Sequence, residues 1–238
     1  MLFRSIVVND HEDSLKRVLA RGCWSEIITF GTDAGQGFTA EGPADAFNVL
    51  KNGQKVGRVE WSLLGRHNQL NALAAIAAAQ HVGVSIEGAC KALARFENVN
   101  RRMELRGEIN GIKVYDDFAH HPTAIHTTLE GLRSKVGPQA RIIAVFEPRS
   151  NTMKLGVMKA QLPASLEHAD LAICHSGGLG WDASEALASL GDKALVYDNI
   201  DAIIQKLKTI AKPGDHLVCM SNGGFSGIHQ KLLDALKN

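Results

Sequence analysis

The sequence lacks any apolar run that approaches the roughly 20 residues a membrane-spanning helix needs. Its first residues, MLFRSIVVND, lack the long apolar core and the small-residue cleavage site of a secretory signal peptide. The four cysteines are scattered and show no CxxC spacing, so buried free thiols are favoured. We therefore expect a protein of the reducing cytoplasm.

A strong charge of either sign is lacking as well. The chain has 26 Lys and Arg against 25 Asp and Glu, a formal net charge of +1. This balance gives no electrostatic reason to expect nucleic acid or an anionic membrane as a partner. As a separate expectation, the protein is a monomer. With 238 residues, 45% hydrophobic and 21% charged, the composition is typical of a globular protein with one large or two small domains.

A phosphate-binding loop of the Walker type is also missing. The motif G-x-x-x-x-G-K-[ST] occurs nowhere in the 238 residues. This loop is the usual cradle for the β- and γ-phosphates of ATP. The 238 residues therefore hold no ATP site of that kind.

The second half of the chain alternates short apolar runs with amphipathic segments of helical length. The apolar runs are RIIAVF (141–146), LAICH (171–175), ALVY (194–197) and HLVCM (216–220). Strand-length runs separated by helices are typical of βαβ units. The sequence therefore predicts an α/β fold with a mainly parallel sheet.

Two hairpins are predicted from their turns. Asn110-Gly111 divides MELRGEINGIKVYDD, and Asn52-Gly53 divides DAFNVLKNGQKVGRVEWSLL. Asn-Gly is a strong signal for a two-residue hairpin turn. Pro122 suits the first turn of a helix, where its missing N–H has no intrahelical partner anyway. The stretch VYDDFAHHPTA (114–124) thus lies where a hairpin strand ends and a helix begins.

The first hundred residues look different. SIVVN and EIITFG are predicted strands with a helix between them, and NQLNALAAIAAAQHVG and SIEGACKALARF are predicted helices. The first of these two is so rich in alanine that another surface must pack closely on it. These elements make a poor domain by themselves, so we interpret them as the rear part of a larger one.

Asn68 and Asn71 are candidate ligand contacts in GRHNQLNALAA (65–75). Their i, i+3 spacing puts both amides on one face of a helix, near its N-terminus. An amide offers the donor and the acceptor needed to read the edge of a purine. Capping the helix is the commoner role for Asn68, but Asn71 lies one turn too far inside for that role.

Two charged stretches leave alternatives open. Arg101 and Arg102 could clamp a phosphate or carboxylate, or could belong to a solvated linker. In DDFAHHP, an aspartate with His120 and His121 could hold zinc or iron. Adjacent side chains often diverge, however, and no second histidine pair supplies companion ligands. A ligand site and a polar turn are therefore both favoured over a metal site.

The segment FEPRSNTM (146–153) follows an apolar strand. Open α/β sheets bind ligands beyond the carboxyl ends of their strands. Glu147, Arg149 and Asn151 are expected to project there. One arginine at such an edge suggests an anionic ligand without specifying it.

The segment CMSNGGFSGIHQKLL (219–233) predicts a strand, a glycine-rich turn and a helix. It is similar to a loop that cradles phosphate at a helix N-terminus. Asn222 stands where the first glycine of G-x-G-x-x-G should be, so the signal for a dinucleotide is weak.

Taken in order, three motifs resemble those of the Mur ligase family, the ATP-dependent amide-forming enzymes of peptidoglycan assembly. They are GRHNxxNA (65–72), NRRMELRG (100–107) and YDDFAHHPT (115–123). The family has a UDP-binding domain, a central ATPase domain and a C-terminal Rossmann-like domain. The resemblance implies that residues 1–104 are the rear of the central domain and residues 105–238 the C-terminal ligase domain.

The resemblance also implies nucleotide contacts. Asn68 and Asn71 would contact the adenine of ATP. Arg102 and Asp117 would contact its ribose or phosphates. Magnesium is the implied second cofactor, with its ligands mainly in the part of the family's central domain that these residues do not include.

On the substrate side, the resemblance places His120 and Arg149 against the incoming amine. His121 and Asn151 are the further candidate substrate contacts. The implied catalytic residues are Arg102, Asp117 and His120.

DDFAHHPTA, EPRSNTM and MSNGGFSGIHQKLL are most similar to the family members that act in peptidoglycan recycling. Those members join UDP-N-acetylmuramate to the tripeptide L-alanyl-γ-D-glutamyl-meso-diaminopimelate. The reaction passes through an acyl phosphate, which the amine of the peptide attacks. Without the phosphate loop and the UDP-binding domain, these 238 residues are expected to be inactive alone.

Three alternatives stay open. One is ligation of L-alanine to UDP-N-acetylmuramate, although alanine-adding members usually have tyrosine at the position of Phe118 and arginine at that of Thr152. Another is a nicotinamide-dependent oxidoreductase, which the defective glycine pattern opposes. The third is a non-catalytic module that binds a nucleotide or a peptidoglycan peptide.

Overall fold

Asn98 and Val99 mark the division of the chain into two units, unit 1 (residues 1–98) and unit 2 (residues 99–238). The structure is a computed structural model that describes residues 5–31 and 36–237. The sequence placed a boundary between residues 104 and 105 instead. The difference arises because Arg101 and Met103 bond to side chains of unit 2, which keeps residues 99–104 with that unit. The domains that the units represent stay a prediction.

Unit 1 contains a five-stranded sheet in the order β1-β2-β3-β4-β5. Its strands are β1 (Ser5–Asn9), β2 (Glu26–Phe30), β3 (Phe38–Glu41), β4 (Ala46–Lys51) and β5 (Gln54–Glu60). The pairs β1–β2 and β2–β3 are parallel, and β3–β4 and β4–β5 are antiparallel. The predicted hairpin is confirmed, since Asn52 and Gly53 both have positive φ and Lys51 pairs with Gln54.

Among the described residues of unit 1 there are three helices: α1 (Asp13–Leu19), α2 (Arg66–His81) and α3 (Ile86–Leu93). The alanine-rich α2 packs closely on the sheet, as predicted, and buries Leu73, Ile76 and Ala77 against Phe38 and Phe47. Helix α3 packs equally closely on β5. A Cβ atom at Gly57 would lie 2.7 Å from the sulfur of Cys90.

Unit 2 contains a six-stranded sheet in the order β10-β9-β8-β11-β7-β6. Its strands are β6 (Glu104–Ile109), β7 (Ile112–Asp117), β8 (Ile142–Phe146), β9 (Leu171–His175), β10 (Ala194–Tyr197) and β11 (His216–Met220). All neighbours pair in parallel except β6 and β7, which form the predicted hairpin around Asn110 and Gly111. The predicted α/β class with a mainly parallel sheet is confirmed.

The helices of unit 2 cover its sheet. They are α4 (Pro122–Val136), α5 (Asn151–Lys154), α6 (Leu162–Ser165), α7 (Ala183–Leu187), α8 (Ile200–Ile210) and α9 (Ile228–Leu236). Helices α8 and α9 pack against one side, where Ile203, Leu207 and Leu232 meet Val145 and Leu217. Pro122 begins α4, as predicted, with His121 as its N-cap residue.

None of the helices within residues 5–31 and 36–237 has both the length and the apolar character that crossing a membrane requires.

Candidate functional site

The carboxyl ends of four neighbouring parallel strands meet along one edge of the unit 2 sheet. Strands β7, β11, β8 and β9 lie side by side in that order. Asp117 ends β7, Ser221 follows β11, Glu147 follows β8, and His175 ends β9. Ligands of open α/β folds bind beyond this edge. The predicted site residues of unit 2 belong to the same edge or to the segments that enter or leave it.

Asp117 holds together the segments on both sides of this edge. Its Oδ2 accepts a hydrogen bond from the backbone N–H of Met103 at 2.8 Å, and its Oδ1 accepts one from the N–H of Ala119 at 2.7 Å. The hydroxyl of Thr128 also donates to Oδ1, at 3.3 Å. The residue is 2% exposed, and this burial raises the pKa of its carboxyl, an effect that the hydrogen bonds oppose. In this structure, Asp117 therefore acts as a positioning residue for the loop that follows β7.

The neighbouring Asp116 belongs to a second network. Nε of Arg101 donates to both of its carboxylate oxygens, at 3.1 and 3.2 Å. Nη2 of Arg101 donates to the carbonyl oxygens of Ser221 and Gly223, at 2.6 and 2.8 Å. Nε2 of His229 lies 3.3 Å from Oδ1 of Asp116, and burial lowers the pKa of this histidine. Arg101 thereby fastens the turn after β11 to the end of β7.

His120 presents one ring nitrogen for a ligand. Its Nδ1 lies 2.8 Å from the carbonyl oxygen of Phe118. A carbonyl oxygen can only accept, so Nδ1 carries the hydrogen, and Nε2 of the neutral ring is an acceptor. The ring meets the edge of Phe118, and the ring of His121 lies 4.2 Å away. His120 is thus held by its neighbours with its second nitrogen able to accept a hydrogen bond.

His121 has an unpaired buried atom. Within the described part of the chain, its Nδ1 has no hydrogen-bond partner. Burial lowers the pKa of this histidine, and the adjacent His120 lowers it further. A neutral His121 ring could therefore donate to or accept from a ligand.

A cavity of about 150 Å³ opens beside the ends of β8 and β9. Its walls are formed by Glu147, Pro148, Arg149, Lys154, His175, Gly177 and Leu179. The guanidinium of Arg149 lies close over the turn after β11, since a Cβ atom at Gly223 would be 2.5 Å from its Nη1. The cavity thus combines two cationic side chains with a carboxylate.

Glu147 directly follows β8, and its carboxylate is held by Ser221 after β11. Its Oε2 accepts a hydrogen bond of 2.6 Å from the hydroxyl of Ser221, whose oxygen in turn accepts the N–H of Gly223. Its Oε1 lies 3.7 Å from Nδ1 of His175, too far for a hydrogen bond. Glu147 therefore presents one carboxylate oxygen toward His175 and the cavity.

Three predicted residues of unit 2 are solvent-exposed: Arg149 at the cavity, Arg102 and Asn151. Arg102 is exposed and lies over the ring of Phe118, with its guanidinium carbon 5.9 Å from the ring centre. Asn151 is exposed at the first position of α5, directly after the N-cap residue Ser150.

Asn68 and Asn71 lie in the first turns of α2 in unit 1. The cap position is occupied by Gly65, so Asn68 is not the N-cap residue. Its amide nitrogen instead donates to the carbonyl oxygen of Leu64, at 2.8 Å. Asn71 is exposed. The spacing therefore puts one partly engaged amide and one exposed amide on a single face of the helix.

Sequence reasoning missed His175 and Ser221 at this edge, and of the arginine pair it carried Arg102 forward as a site residue and not Arg101. His175 and Ser221 could have been found, because each stands at or directly after the carboxyl end of a predicted parallel strand. Arg101 could not be told from Arg102 by type, and only the fold shows which one turns inward.

Residues 101–223 match the family described as "Mur ligase, glutamate ligase domain". Two curated relatives carry the name UDP-N-acetylmuramate–L-alanyl-gamma-D-glutamyl-meso-2,6-diaminoheptandioate ligase. The protein from Escherichia coli (strain K12) is 49% identical over 97% of this chain and 51% of its own length. That from Haemophilus influenzae is 48% identical over 95% of this chain and 50% of its own length. The chain thus spans about half the length of the curated relatives it matches.

Among solved structures, the murein peptide ligase of Psychrobacter arcticus is similar over 98% of this chain and 51% of its own. The TM-score is 0.73 and the sequence identity 42%. The fold described above is therefore shared with a protein of the same type as the two curated relatives.

Proposed function

This chain belongs to the Mur ligase family, and from that premise we propose that it forms part of an ATP-dependent amide-bond ligase. The proposed reaction joins the carboxylate of UDP-N-acetylmuramate to the amine of L-alanyl-γ-D-glutamyl-meso-diaminopimelate. The observation that carries this proposal is the near-half identity to two ligases so named, over almost the whole of this chain. A reaction that uses ATP and a nucleotide-linked sugar would take place in the cytoplasm.

The charges of the unit 2 cavity support a peptide substrate. The tripeptide has several carboxylates and amino groups. Arg149 and Lys154 could neutralise a carboxylate, and the carboxylate of Glu147 could hold an ammonium group. A free alanine has only one group of each sign and would leave part of this charge without a partner.

His120 is proposed to contact the attacking amine. Its Nε2 is an acceptor in the neutral ring, as the bond from Nδ1 to Phe118 requires. An acceptor nitrogen can hold an amine N–H and orient the nitrogen lone pair toward the activated carboxylate. His121 and Asn151 remain proposed substrate contacts beside it.

Of the residues proposed to contact ATP, some present groups that can bind it and one is already hydrogen-bonded within the chain. The exposed amide of Asn71 can read an adenine edge, and the exposed guanidinium of Arg102 can neutralise a phosphate. Asp117 is occupied by Met103 and Ala119, so we propose that it acts by positioning the loop beside Arg102. When bound, ATP with magnesium supplies the phosphoryl group that activates the muramyl carboxylate.

The test is a phosphate-release assay with UDP-N-acetylmuramate, tripeptide, magnesium and ATP. It compares this chain with a version extended upstream to the length of its relatives. We expect turnover only from the extended chain, because precise positioning contributes about 7–11 kcal/mol to such reactions. Turnover by the 238 residues alone, at a rate similar to that of the extended chain, would show that the upstream part is not needed and that the proposal is wrong.

The same assay, together with two binding measurements, separates the alternatives. Turnover of the extended chain with L-alanine and not with tripeptide would indicate an alanine-adding ligase. Binding of tripeptide without turnover would indicate a binding module. A fluorescence titration with NADH that saturates, with no response to ATP, would favour an oxidoreductase.

A further inference from the structure

His126, Glu167 and His168 bring three potential metal ligands together in unit 2, away from the strand ends. His126 lies in α4, and the other two lie in the segment between α6 and β9. One ligand atom from each lies within 4.8 Å of the other two. We propose that this cluster, called here the His126 site, binds a divalent transition metal ion such as zinc.

The distances suit a metal ion. Nδ1 of His126 lies 3.4 Å from Oε1 of Glu167, and Nε2 of His168 lies 3.8 Å from the same oxygen. Two donors bound at about 2.1 Å to one tetrahedral zinc ion lie about 3.4 Å apart. Since all three separations are within 4.8 Å, each exceeds that spacing by at most about 1.4 Å, which small side-chain movements can close.

The donor types select the ion. Two imidazoles and one carboxylate suit zinc, nickel, copper or iron, whereas magnesium and calcium prefer oxygen ligands alone. Three protein ligands leave one tetrahedral position for water. The side chains of His126, Glu167 and His168 are 37%, 60% and 30% exposed, so an ion can reach the site from solvent.

The backbone that carries the ligands is held in place. Arg133, two turns after His126 on α4, donates through Nε and Nη2 to the carbonyl oxygen of His168, at 3.3 and 3.1 Å. Its Nη2 also donates to Asp170, at 2.6 Å. Leu166 and Ala169, on either side of the two ligands, are buried. The backbone that carries His168 is therefore fixed to α4, so binding an ion has to order the ligand side chains but not the chain that carries them.

A bound ion would join α4 to the segment that leads into β9. Helix α4 begins next to His120 and His121, and β9 ends at His175 in the wall of the cavity. The His126 site would therefore tie a helix that begins beside His120 and His121 to the segment that leads into β9, which ends at His175. It uses none of those residues as ligands.

The test is an isothermal titration calorimetry experiment in which zinc chloride is added to the chelator-treated 238-residue chain. The partly exposed Cys23 is replaced by serine throughout, because a free thiol could bind zinc itself. Cobalt(II) serves as the spectroscopic probe, since its visible absorption reports tetrahedral nitrogen and oxygen ligands. We expect about one ion per chain with micromolar affinity, weakened about tenfold or more in His126→Gln and in His168→Gln.

The controls separate this site from other histidines. His81→Gln, an exposed change at the end of α2, should leave zinc affinity unchanged. His120→Gln tests the adjacent histidine pair as a rival site. Equal affinity in the parent, His126→Gln and His168→Gln chains would overturn the proposal, as would loss of binding in His120→Gln alone. Failure of the folded parent chain to bind zinc at 100-fold above the expected micromolar range, about 100 µM, would overturn it too.

Two ligand variants keep the test decisive. If the circular dichroism of His126→Gln shows that it does not fold, His168→Gln and Glu167→Gln carry the comparison, because both lie outside regular elements. Folded variants of either kind that bind zinc like the parent chain would contradict the assignment.

Discussion

Nη2 of Arg101 donates to the carbonyl oxygen of Ser221 at 2.6 Å, although the two residues are 120 positions apart in sequence. The bond joins the segment that enters β6 to the turn that follows β11. Arg101 also has a φ of 60°, a left-handed conformation that is uncommon outside glycine and is sustained by such contacts. The edge of the sheet that carries the candidate site is thus fixed by an arginine that need not touch a ligand.

Replacing Arg101 by lysine should destabilise unit 2. Lysine keeps the charge but cannot direct donors to Asp116, Ser221 and Gly223 together, as the planar guanidinium does. We expect a loss of about 1–3 kcal/mol in the free energy of unfolding. Urea denaturation measures it, and hydrogen exchange of the β11 amides locates it in unit 2.

Arg106→Lys is the matched control for this change. Arg106 lies on β6, is exposed, and bonds through its side chain to Glu104. An exposed pair of this kind contributes about 1 kcal/mol or less. Equal effects of the two substitutions would contradict the role given to Arg101.

Asp117→Asn should also lower stability, although it removes a buried charge. The carboxylate accepts from Met103 N–H through Oδ2 and from Ala119 N–H through Oδ1. Asparagine has one oxygen and one NH₂ group, so one backbone donor would face another donor. We expect a cost of about 1–3 kcal/mol by urea denaturation. The exposed Asp192→Asn serves as control, and a neutral result for Asp117→Asn would show that the loop does not depend on these bonds.

The free energy of unfolding should decrease as the pH falls below the pKa of an ordinary histidine. Burial lowers the pKa of His229 and of His216 in the folded chain. Below pH ~6.5 the unfolded chain therefore binds more protons than the folded chain, and the free energy of unfolding falls as the pH drops through the folded pKa. Each group can contribute a slope of up to about 1.4 kcal/mol per pH unit.

The measurement is urea denaturation between pH 5 and 8 for the parent chain and for His229→Gln. His229 faces Asp116, and Arg101 lies near enough to oppose its protonation. Its removal should reduce the loss of stability at low pH. Parallel curves for the two chains would mean that this histidine is not titrating with unfolding.

Local signals in the sequence predicted the local structure well. Asn52-Gly53 and Asn110-Gly111 specify their hairpins because both residues of such a turn need positive φ. Pro122 marks the start of α4 for an equally local reason. Strand β3 (Phe38–Glu41) was missed, since its four residues are defined by pairing with β2 and β4 and not by a pattern of their own.

The assembled edge could be predicted only in part. Asp117 was predicted only to end a hairpin strand. That Arg149 follows a parallel strand was readable from the sequence, and it placed this residue at the edge of the sheet where ligands bind. The bond between Ser221 and Glu147 was not, because it depends on β11 lying between β7 and β8. Strand order is a property of the whole sheet, and several orders satisfy the same run of strands and helices.

The last prediction concerns Gly223 and rests on the proposed function. A Cβ atom there would lie 2.5 Å from Nη1 of Arg149 and 2.9 Å from its Cδ and Cζ. Because these atoms belong to the end of a flexible side chain, Gly223→Ala should displace Arg149 at little cost in stability. The adjacent Gly224→Ala is the control, since no described residue other than its sequence neighbours lies within 4 Å of its Cβ position, and neither glycine has positive φ. In the chain extended upstream, Gly223→Ala should raise the KM for tripeptide about tenfold or more, the equivalent of one hydrogen bond to a charged group at about 1.5–3 kcal/mol.

Gly224→Ala should leave that KM unchanged, with urea midpoints of both variants close to that of the parent. A KM unaffected by Gly223→Ala, or changed equally by both substitutions, would mean that Arg149 does not hold the peptide.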